Sequence, residues 1–151
     1  MNWALSIDRK NITDVRIAEA TTRPLAEGEA RLSVDSFALT ANNITYAAFG
    51  DAMRYWDFFP GDDGRCRLPV WGFAEIAESR VDGLTVGELI YGYFPAASEL
   101  IVSPGKVTPA SFVDTSAHRA ELAPAYNNYV RCAADPGWSS KGEAAQMVLQ
   151  P

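Results

Sequence analysis

Hydrophobic and polar residues alternate at the start of the chain in the pattern of a β-strand. Trp3, Leu5 and Ile7 share one parity, and a polar run over 8–11 separates them from further apolar residues over 12–17. Because side chains alternate between the two faces of a strand, the two segments are predicted to form a β-hairpin.

The next predicted strand changes phase along its length. Leu32 and Val34 share one parity, whereas Phe37 and Leu39 share the other. Because the side-chain period of a strand is two, this change predicts a bulge or a bend near residues 35–36. Bent strands are typical of a closed or half-closed barrel.

Further apolar segments have the lengths of strands. They cover residues 70–76, 88–94 and 98–102, and turn sequences at 82–83 and 104–105 interrupt the pattern. We therefore predict a mainly β fold with short helices, built on a bent-strand barrel.

One short helix is predicted among the strands. Thr40 can cap a helix over 41–49, and Gly50 can supply a permissive backbone conformation just past its end. An aromatic and then acidic loop over 54–64 follows, and its aromatic run 55–59, which includes Trp56, could cover a ligand or pack against the barrel.

Beyond residue 115 the pattern predicts helices at the C-terminal end. The segments are 116–122, 125–133 and 140–149, and the last of them begins with a capping-box pattern. Residues 118–119 are interpreted as a solvated helix start, and 126–129 as helix residues shared between the core and its rim. Because the last apolar segment has no polar terminator, we expect the polypeptide to continue.

Composition and charge exclude several classes of partner. The chain of 151 residues has a net charge of −6 and shows no basic face that would bind nucleic acid. No apolar run approaches the roughly 20 residues of a membrane span, and the N-terminus lacks a signal-peptide pattern. We expect a cytoplasmic protein that binds neither nucleic acid nor membrane.

The residues that could hold a metal are few. Cys66 and Cys132 form no CxxC motif and are predicted to be reduced thiols, and His118 is the single histidine. The sequence contains no GxSxG, GxGxxG or GxxxxGK[ST] motif. We predict no metal, no disulfide and no complete nucleotide site within these residues.

Polar residues at the start of the predicted helix are the main candidates for a site. Asn42 and Asn43 place two amides, Thr45 a hydroxyl and Tyr46 a phenol beside the free N–H groups of the first turn. In the alternative interpretation these residues only cap the helix, and Tyr46 packs into the core.

Five segments follow one another in a familiar order. They read GEARLSV, LTANNIT with Gly50 after it, LPVWGFAEIAES, VGELIYG and ASELIV. In this order they resemble the substrate-side barrel of medium-chain dehydrogenase/reductases. The chain resembles more closely an uncharacterised family related to that superfamily. The segments that carry this resemblance are NNITYAAFGD, WGFAE, YGYFP, HRA and YNNYVR.

The resemblance implies a GroES-like barrel over residues 1–115 and a helical segment over 116–151 that leads to a cofactor domain. Thr45 stands where the superfamily has an aspartate, and Phe73 stands where its zinc-dependent branch has a ligand histidine. Because Phe73 has no lone pair, the implied relatives are the zinc-free quinone and enoyl reductases.

The resemblance also implies a function. The chain would bind the small-molecule substrate of a zinc-free, NAD(P)H-dependent reductase of conjugated or carbonyl compounds, and it would be inactive without the cofactor domain. Tyr46 and Thr45 would be catalytic, with Tyr46 as proton donor, and Asn42 and Trp56 would bind substrate. No cofactor-binding residue is identified. The apolar segment 144–149 would contact the rest of the polypeptide or a second copy. The alternative is a non-catalytic GroES-like binding or assembly module.

Overall fold

The computed structural model describes residues 1–138 and Gly142. Antiparallel β-strands are the main elements of this part of the chain. The strands are β1 (Trp3–Asp8), β2 (Val15–Glu19), β3 (Ala30–Ala38), β4 (Arg65–Arg67), β5 (Pro69–Ser79), β6 (Leu89–Pro95), β7 (Glu99–Val102), β8 (Pro104–Gly105), β9 (Ser111–Asp114) and β10 (Asn128–Arg131). The helical elements are α1 (Ala41–Ala48) and short 3-10 turns at Tyr55–Asp57, Ala117–Arg119, Pro124–Asn127 and Cys132–Ala134.

Seven of these strands form a nearly closed barrel sheet. Their order is β7-β3-β5-β6-β10-β9-β8, and a second sheet has the order β2-β1-β4. The two sheets meet where Ala4 bridges Ala97 and the Leu5 amide donates to the Ala96 carbonyl at 2.8 Å. The predicted mainly β, bent-strand barrel and its first hairpin are therefore confirmed.

The bulge predicted from the parity change is present in β3. Val34 lies opposite Ala74 of β5, but Ser36 lies opposite Phe73, so Asp35 is an extra residue on β3. Because Asp35 is unpaired, the residues after it point to the opposite face from the one that strict alternation would give. Leu32, Val34 and Phe37 consequently all pack on one core although their parities differ.

α1 begins at its predicted cap, but the prediction for Gly50 is wrong. Thr40 is extended, and its side-chain oxygen accepts a hydrogen bond from the Asn42 amide. Gly50 is not in the left-handed region. A Cβ atom there would lie within 2.1 Å of Nε1 of Trp56, so glycine is needed for the close approach of that indole ring.

The helices predicted after residue 115 are present within residues 116–138 only as the short 3-10 turns Ala117–Arg119, Pro124–Asn127 and Cys132–Ala134. The predicted helix over 125–133 is wrong, because it contains β10, which lies between β6 and β9 in the barrel sheet. Pro124 opens only a short 3-10 turn, after which the two neighbouring strands satisfy the backbone groups of β10. The sheet thus extends past residue 115, and the predicted helix over 140–149 lies outside the described residues.

β5 and β6 carry different kinds of side chain on their two faces. The face toward the main core is aliphatic apart from one phenylalanine and carries Val70, Ala74, Ile76, Ile90 and Phe94. The opposite face carries two aromatic pairs across the strands, Trp71 with Tyr93 and Phe73 with Tyr91. This second, aromatic layer is covered by rings from residues 55–59 and 126, and it positions the candidate site.

We expect Gly92→Ala to lower the free energy of unfolding by about 1–3 kcal/mol. A Cβ atom at this position of β6 would lie 2.4 Å from Cδ1 of Tyr129, whose ring is fully buried. The ring cannot shift freely, because the Tyr129 hydroxyl donates to the Tyr93 carbonyl at 2.8 Å. Chemical denaturation measures the change. An equal loss in a Tyr129→Leu background would show that the clash is not the cause.

Candidate functional site

The four site residues proposed from the sequence do not converge on one place. Asn42 and Thr45 are exposed on α1, whereas Tyr46 turns inward and is only 7% exposed. Trp56 is 1% exposed and lies in the main core, so it forms no wall of an open cleft. Tyr46 is the residue from which the candidate site is built.

Asn43, the second amide of the predicted polar group but not one of the four proposed site residues, anchors α1 to the barrel. Its Oδ1 atom accepts from the Thr40 amide at 2.6 Å, and its Nδ2 atom donates to the Pro69 carbonyl at 2.9 Å. The second bond reaches the first residue of β5. Because Asn43 is buried and uses both ends of its amide, it fixes the direction in which Tyr46 enters the protein.

The hydroxyl of Tyr46 is oriented by an indole. Nε1 of Trp71 donates a hydrogen bond to the Tyr46 oxygen at 3.0 Å. Since an indole N–H can only donate, the phenol must be the acceptor in this bond. Its own hydrogen is therefore free for another acceptor, and the structure shows none among the described residues.

Tyr46 belongs to a group of four tyrosines, here called the tyrosine cluster: Tyr46, Tyr55, Tyr93 and Tyr126. The ring centroid of Tyr46 lies 4.9 Å from that of Tyr55 and 5.5 Å from that of Tyr93. The ring centroids of Tyr93 and Tyr126 lie 4.6 Å apart. Tyr55 and Tyr126 are half-buried, so the cluster reaches the surface on one side.

The hydroxyl of Tyr93 is buried and has no hydrogen-bond partner among the described residues. An unpaired buried polar group costs about 1–3 kcal/mol, which makes it unusual in a folded protein. Together, Tyr46 and Tyr93 offer two phenol hydrogens from rings that meet edge to face at 82°. Each of the two hydroxyls therefore keeps a hydrogen that no acceptor among the described residues takes.

A buried ion pair holds the segment that carries Tyr126. Nε of Arg119 lies 3.2 Å from Oδ2 of Asp114, and the guanidinium carbon lies 4.9 Å from the centroid of the Phe59 ring. Nη1 of Arg119 also donates to the Tyr129 hydroxyl at 3.1 Å. Arg119 is 1% exposed, so the interpretation of residues 118–119 as a solvated helix start is wrong for Arg119.

Two members of the aromatic layer, Trp71 and Tyr93, were not identified as site residues from the sequence, whereas Tyr55 belongs to the aromatic run 55–59 that was. A signal for both missed residues is present in the strand pattern. Trp71 and Tyr93 lie on the parity of β5 and β6 that does not face the main core, yet they are large and aromatic. Such residues on the outer face of a strand indicate that another part of the chain covers them.

The family comparison bears on the identity of the chain. Residues 37–151 match the family described as "Protein of unknown function (DUF2855)". The chain belongs to this family. The match includes every member of the tyrosine cluster and the ion pair of Arg119 with Asp114. No curated protein matches the chain significantly. The uncharacterised family expected from the sequence is thus confirmed, and the family's description assigns no reaction.

Neither cysteine of this family member takes part in the cluster. Cys66 packs in the main core, Cys132 packs beside Phe73 and Tyr91, and no disulfide joins them. Burial raises the pKa of the Cys66 thiol. Within the described residues, no group of His, Cys, Asp and Glu side chains is arranged to hold a metal ion. No helix of that part of the chain has the length and apolar character needed to cross a membrane.

Burial affects the protonation of Tyr46, Tyr93 and Tyr126. It raises the pKa values of Tyr46, Tyr93 and Tyr126, and a hydrogen bond with Tyr55 raises that of Tyr126 further. The bond from Trp71 opposes this shift at Tyr46, because it stabilises the phenolate. At neutral pH these phenols are therefore protonated, and each can donate a hydrogen bond.

The raised tyrosine pKa values predict loss of stability in alkali. Burial raises the pKa values of Tyr91 and Tyr129 to about 12, against an ordinary value of 10.0, and those of three cluster tyrosines are also raised. Above pH 10 the unfolded chain therefore holds fewer protons than the folded one, and stability falls as the pH rises.

An alkaline titration that follows tyrosinate absorbance and circular dichroism in one sample checks this prediction. We expect most of the tyrosinate signal to appear together with unfolding. The prediction fails if most of that signal develops near pH 10 while the circular dichroism of the folded protein is unchanged.

Proposed function

We propose that this barrel is the substrate-binding part of a cytoplasmic, zinc-free, NAD(P)H-dependent oxidoreductase that reduces a conjugated or carbonyl compound. The observation that carries the proposal is the pair of phenol hydrogens, on Tyr46 and Tyr93, that have no acceptor among the described residues. Two donors in an apolar, aromatic setting suit the oxygen of a carbonyl group, on which negative charge develops during reduction.

The described residues offer a surface for the nicotinamide ring of the proposed cofactor but no site for its phosphates. The half-buried rings of Tyr55, Trp71 and Tyr126 offer an aromatic surface on which a nicotinamide ring could lie. The sequence offers no glycine-rich turn for the phosphates, so these would be held by another part of the polypeptide. When bound, NAD(P)H supplies a hydride to the substrate.

Tyr46 would supply the proton. The substrate oxygen would accept hydrogen bonds from the hydroxyls of Tyr46 and Tyr93 before the reaction. As the substrate carbon gains hydride, the O–H bond of Tyr46 would break and its proton would pass to the substrate oxygen. The phenolate left on Tyr46 would keep the hydrogen bond from Nε1 of Trp71, and that bond stabilises its charge.

The outer side of α1 supports a contact with another part of the polypeptide. Leu39, Ile44 and Phe49 are large apolar residues at or beside this helix, and each is more than half exposed. Exposed apolar surface of this kind is typical of interfaces. Asn42 and Thr45 share the exposed side of α1, so they would face the cofactor-binding part and not the tyrosine cluster.

A second candidate function is a non-catalytic binding or assembly module, and one observation favours it. Tyr46 is nearly buried and its oxygen is already engaged by Trp71. In a non-catalytic module, the ring of Tyr46 would only pack in the core, which is the alternative interpretation given from the sequence. The two functions differ in whether the hydroxyl of Tyr46 matters for turnover.

The test uses the polypeptide encoded by the gene that contains this barrel, with NADH or NADPH and a panel of quinones, enones and aldehydes. We expect Tyr46→Phe to lower kcat by roughly 10²-fold, because general acid catalysis typically contributes about that much. The matched control is Tyr91→Phe, which removes a buried phenol of β6 outside the tyrosine cluster. It should leave kcat unchanged.

Thermal unfolding of both variants separates chemistry from stability. Unchanged turnover in Tyr46→Phe would remove this residue from the mechanism, and a loss confined to the melting temperature would favour the packing role. Absence of nicotinamide oxidation with every substrate class would favour the binding module.

A further inference from the structure

A pocket separate from the tyrosine hydroxyls lies where the small sheet meets the barrel. Its volume is about 340 Å³, which falls within the range of small-molecule sites. Apolar and polar side chains both line it, and they come from the loop after Tyr55–Asp57, from β4, from β7, from the segment after β2 and from the turn Ala117–Arg119. The residues that matter here are Phe58, Phe59, Pro60, Leu100, Arg67 and His118.

Arg67 is the charged group in this pocket that lacks a partner among the described residues. Its backbone amide donates to the Phe59 carbonyl at 3.0 Å, which fixes its position at the pocket wall. No carboxylate or carbonyl of the described residues accepts from its guanidinium, although the residue is half-buried. By contrast, Arg65 on the same strand is bonded to Ser6 and Asp14.

The other charged groups of the pocket are already satisfied. Arg23 forms two hydrogen bonds of 2.7 Å with the carboxylate of Glu29. Glu99 accepts from Asn2 and from Arg31, each at 3.0 Å. A ligand that entered the pocket would therefore meet one unpaired positive charge, that of Arg67.

We propose that this pocket binds a small monocarboxylate with an apolar tail. A guanidinium forms paired hydrogen bonds with a carboxylate, and one negative charge balances the one free cation. A dianion such as phosphate suits the pocket less, because Glu99 adds a negative charge to its wall. The rings of Phe58 and Phe59 and the side chain of Leu100 would contact the tail.

This site does not depend on the proposed reductase function. It would be occupied in the absence of nicotinamide, and its residues are not the phenols that would act on a substrate. Phe58 belongs to both regions, since its ring lies 5.4 Å from that of Tyr93 and also lines the pocket. A binding experiment without cofactor therefore tests the pocket alone.

The experiment titrates the protein with hexanoate, hexanol and inorganic phosphate, followed by two-dimensional NMR or calorimetry. We expect hexanoate to bind at least about tenfold more tightly than hexanol, because a charged hydrogen bond adds affinity. Arg67→Gln should weaken hexanoate binding by about tenfold or more, and Arg67→Lys by less, since lysine keeps the charge without the paired geometry.

The matched control is Arg80→Gln. Arg80 is an exposed arginine outside the pocket, with no side-chain partner in the described part of the chain, so this variant removes the same charge elsewhere. It should bind hexanoate as the unmodified protein does. The amide spectrum of each variant verifies its fold, and the comparison of hexanoate with hexanol tests the proposal even if Arg67→Gln does not fold.

Three outcomes would overturn the proposal. One is the absence of hexanoate binding, and another is equal binding of hexanol, which would mean that the pocket recognises only apolar groups. The third is phosphate binding that matches hexanoate and is lost in Arg67→Gln, which would mean a site for anions in general.

Discussion

The buried guanidinium of Arg119 is the constraint on which the arrangement around the tyrosines depends. Removing such a charge from water costs several kcal/mol unless it is compensated. The carboxylate of Asp114 lies beside it, and its second oxygen accepts from the backbone amides of Ser103 and Ser116. These bonds tie β9 to the chain beyond residue 115. Tyr126 is thereby held against the aromatic face of β5 and β6.

Features of the fold that follow from local periodicity could be predicted from the sequence. The bulge of β3 is one of them, because three apolar residues of different parity must reach the same core. β10 could not be predicted in this way, since a segment of four residues has too few positions to separate a strand from a helix. Its conformation depends on Gly92 of β6, which leaves space for the ring of Tyr129.

The candidate site was predicted only in part for a similar reason. Tyr46 was identified from the sequence, but it was grouped with Asn42 and Thr45, its neighbours along the chain. Those residues lie on the exposed side of α1, and the tyrosine turns toward rings from strands and loops distant in the sequence. A short helix that packs on a barrel separates the residues of each turn in this way.

The tyrosine cluster and the Arg67 pocket share Phe58, and this contact gives the two regions a physical route to influence each other. The Phe58 ring is nearly buried and lies 5.4 Å from the rings of both Tyr93 and Tyr126. Close-packed rings transmit a displacement, because no free volume absorbs it. If the apolar tail of a bound carboxylate displaced Phe58, the phenols would shift and the affinity of the cluster for its own ligand would change. A ligand bound at the tyrosine cluster would then change the affinity of the pocket for the carboxylate by the same factor. Any effect of a carboxylate on the affinity of the cluster for its ligand would therefore be reciprocal.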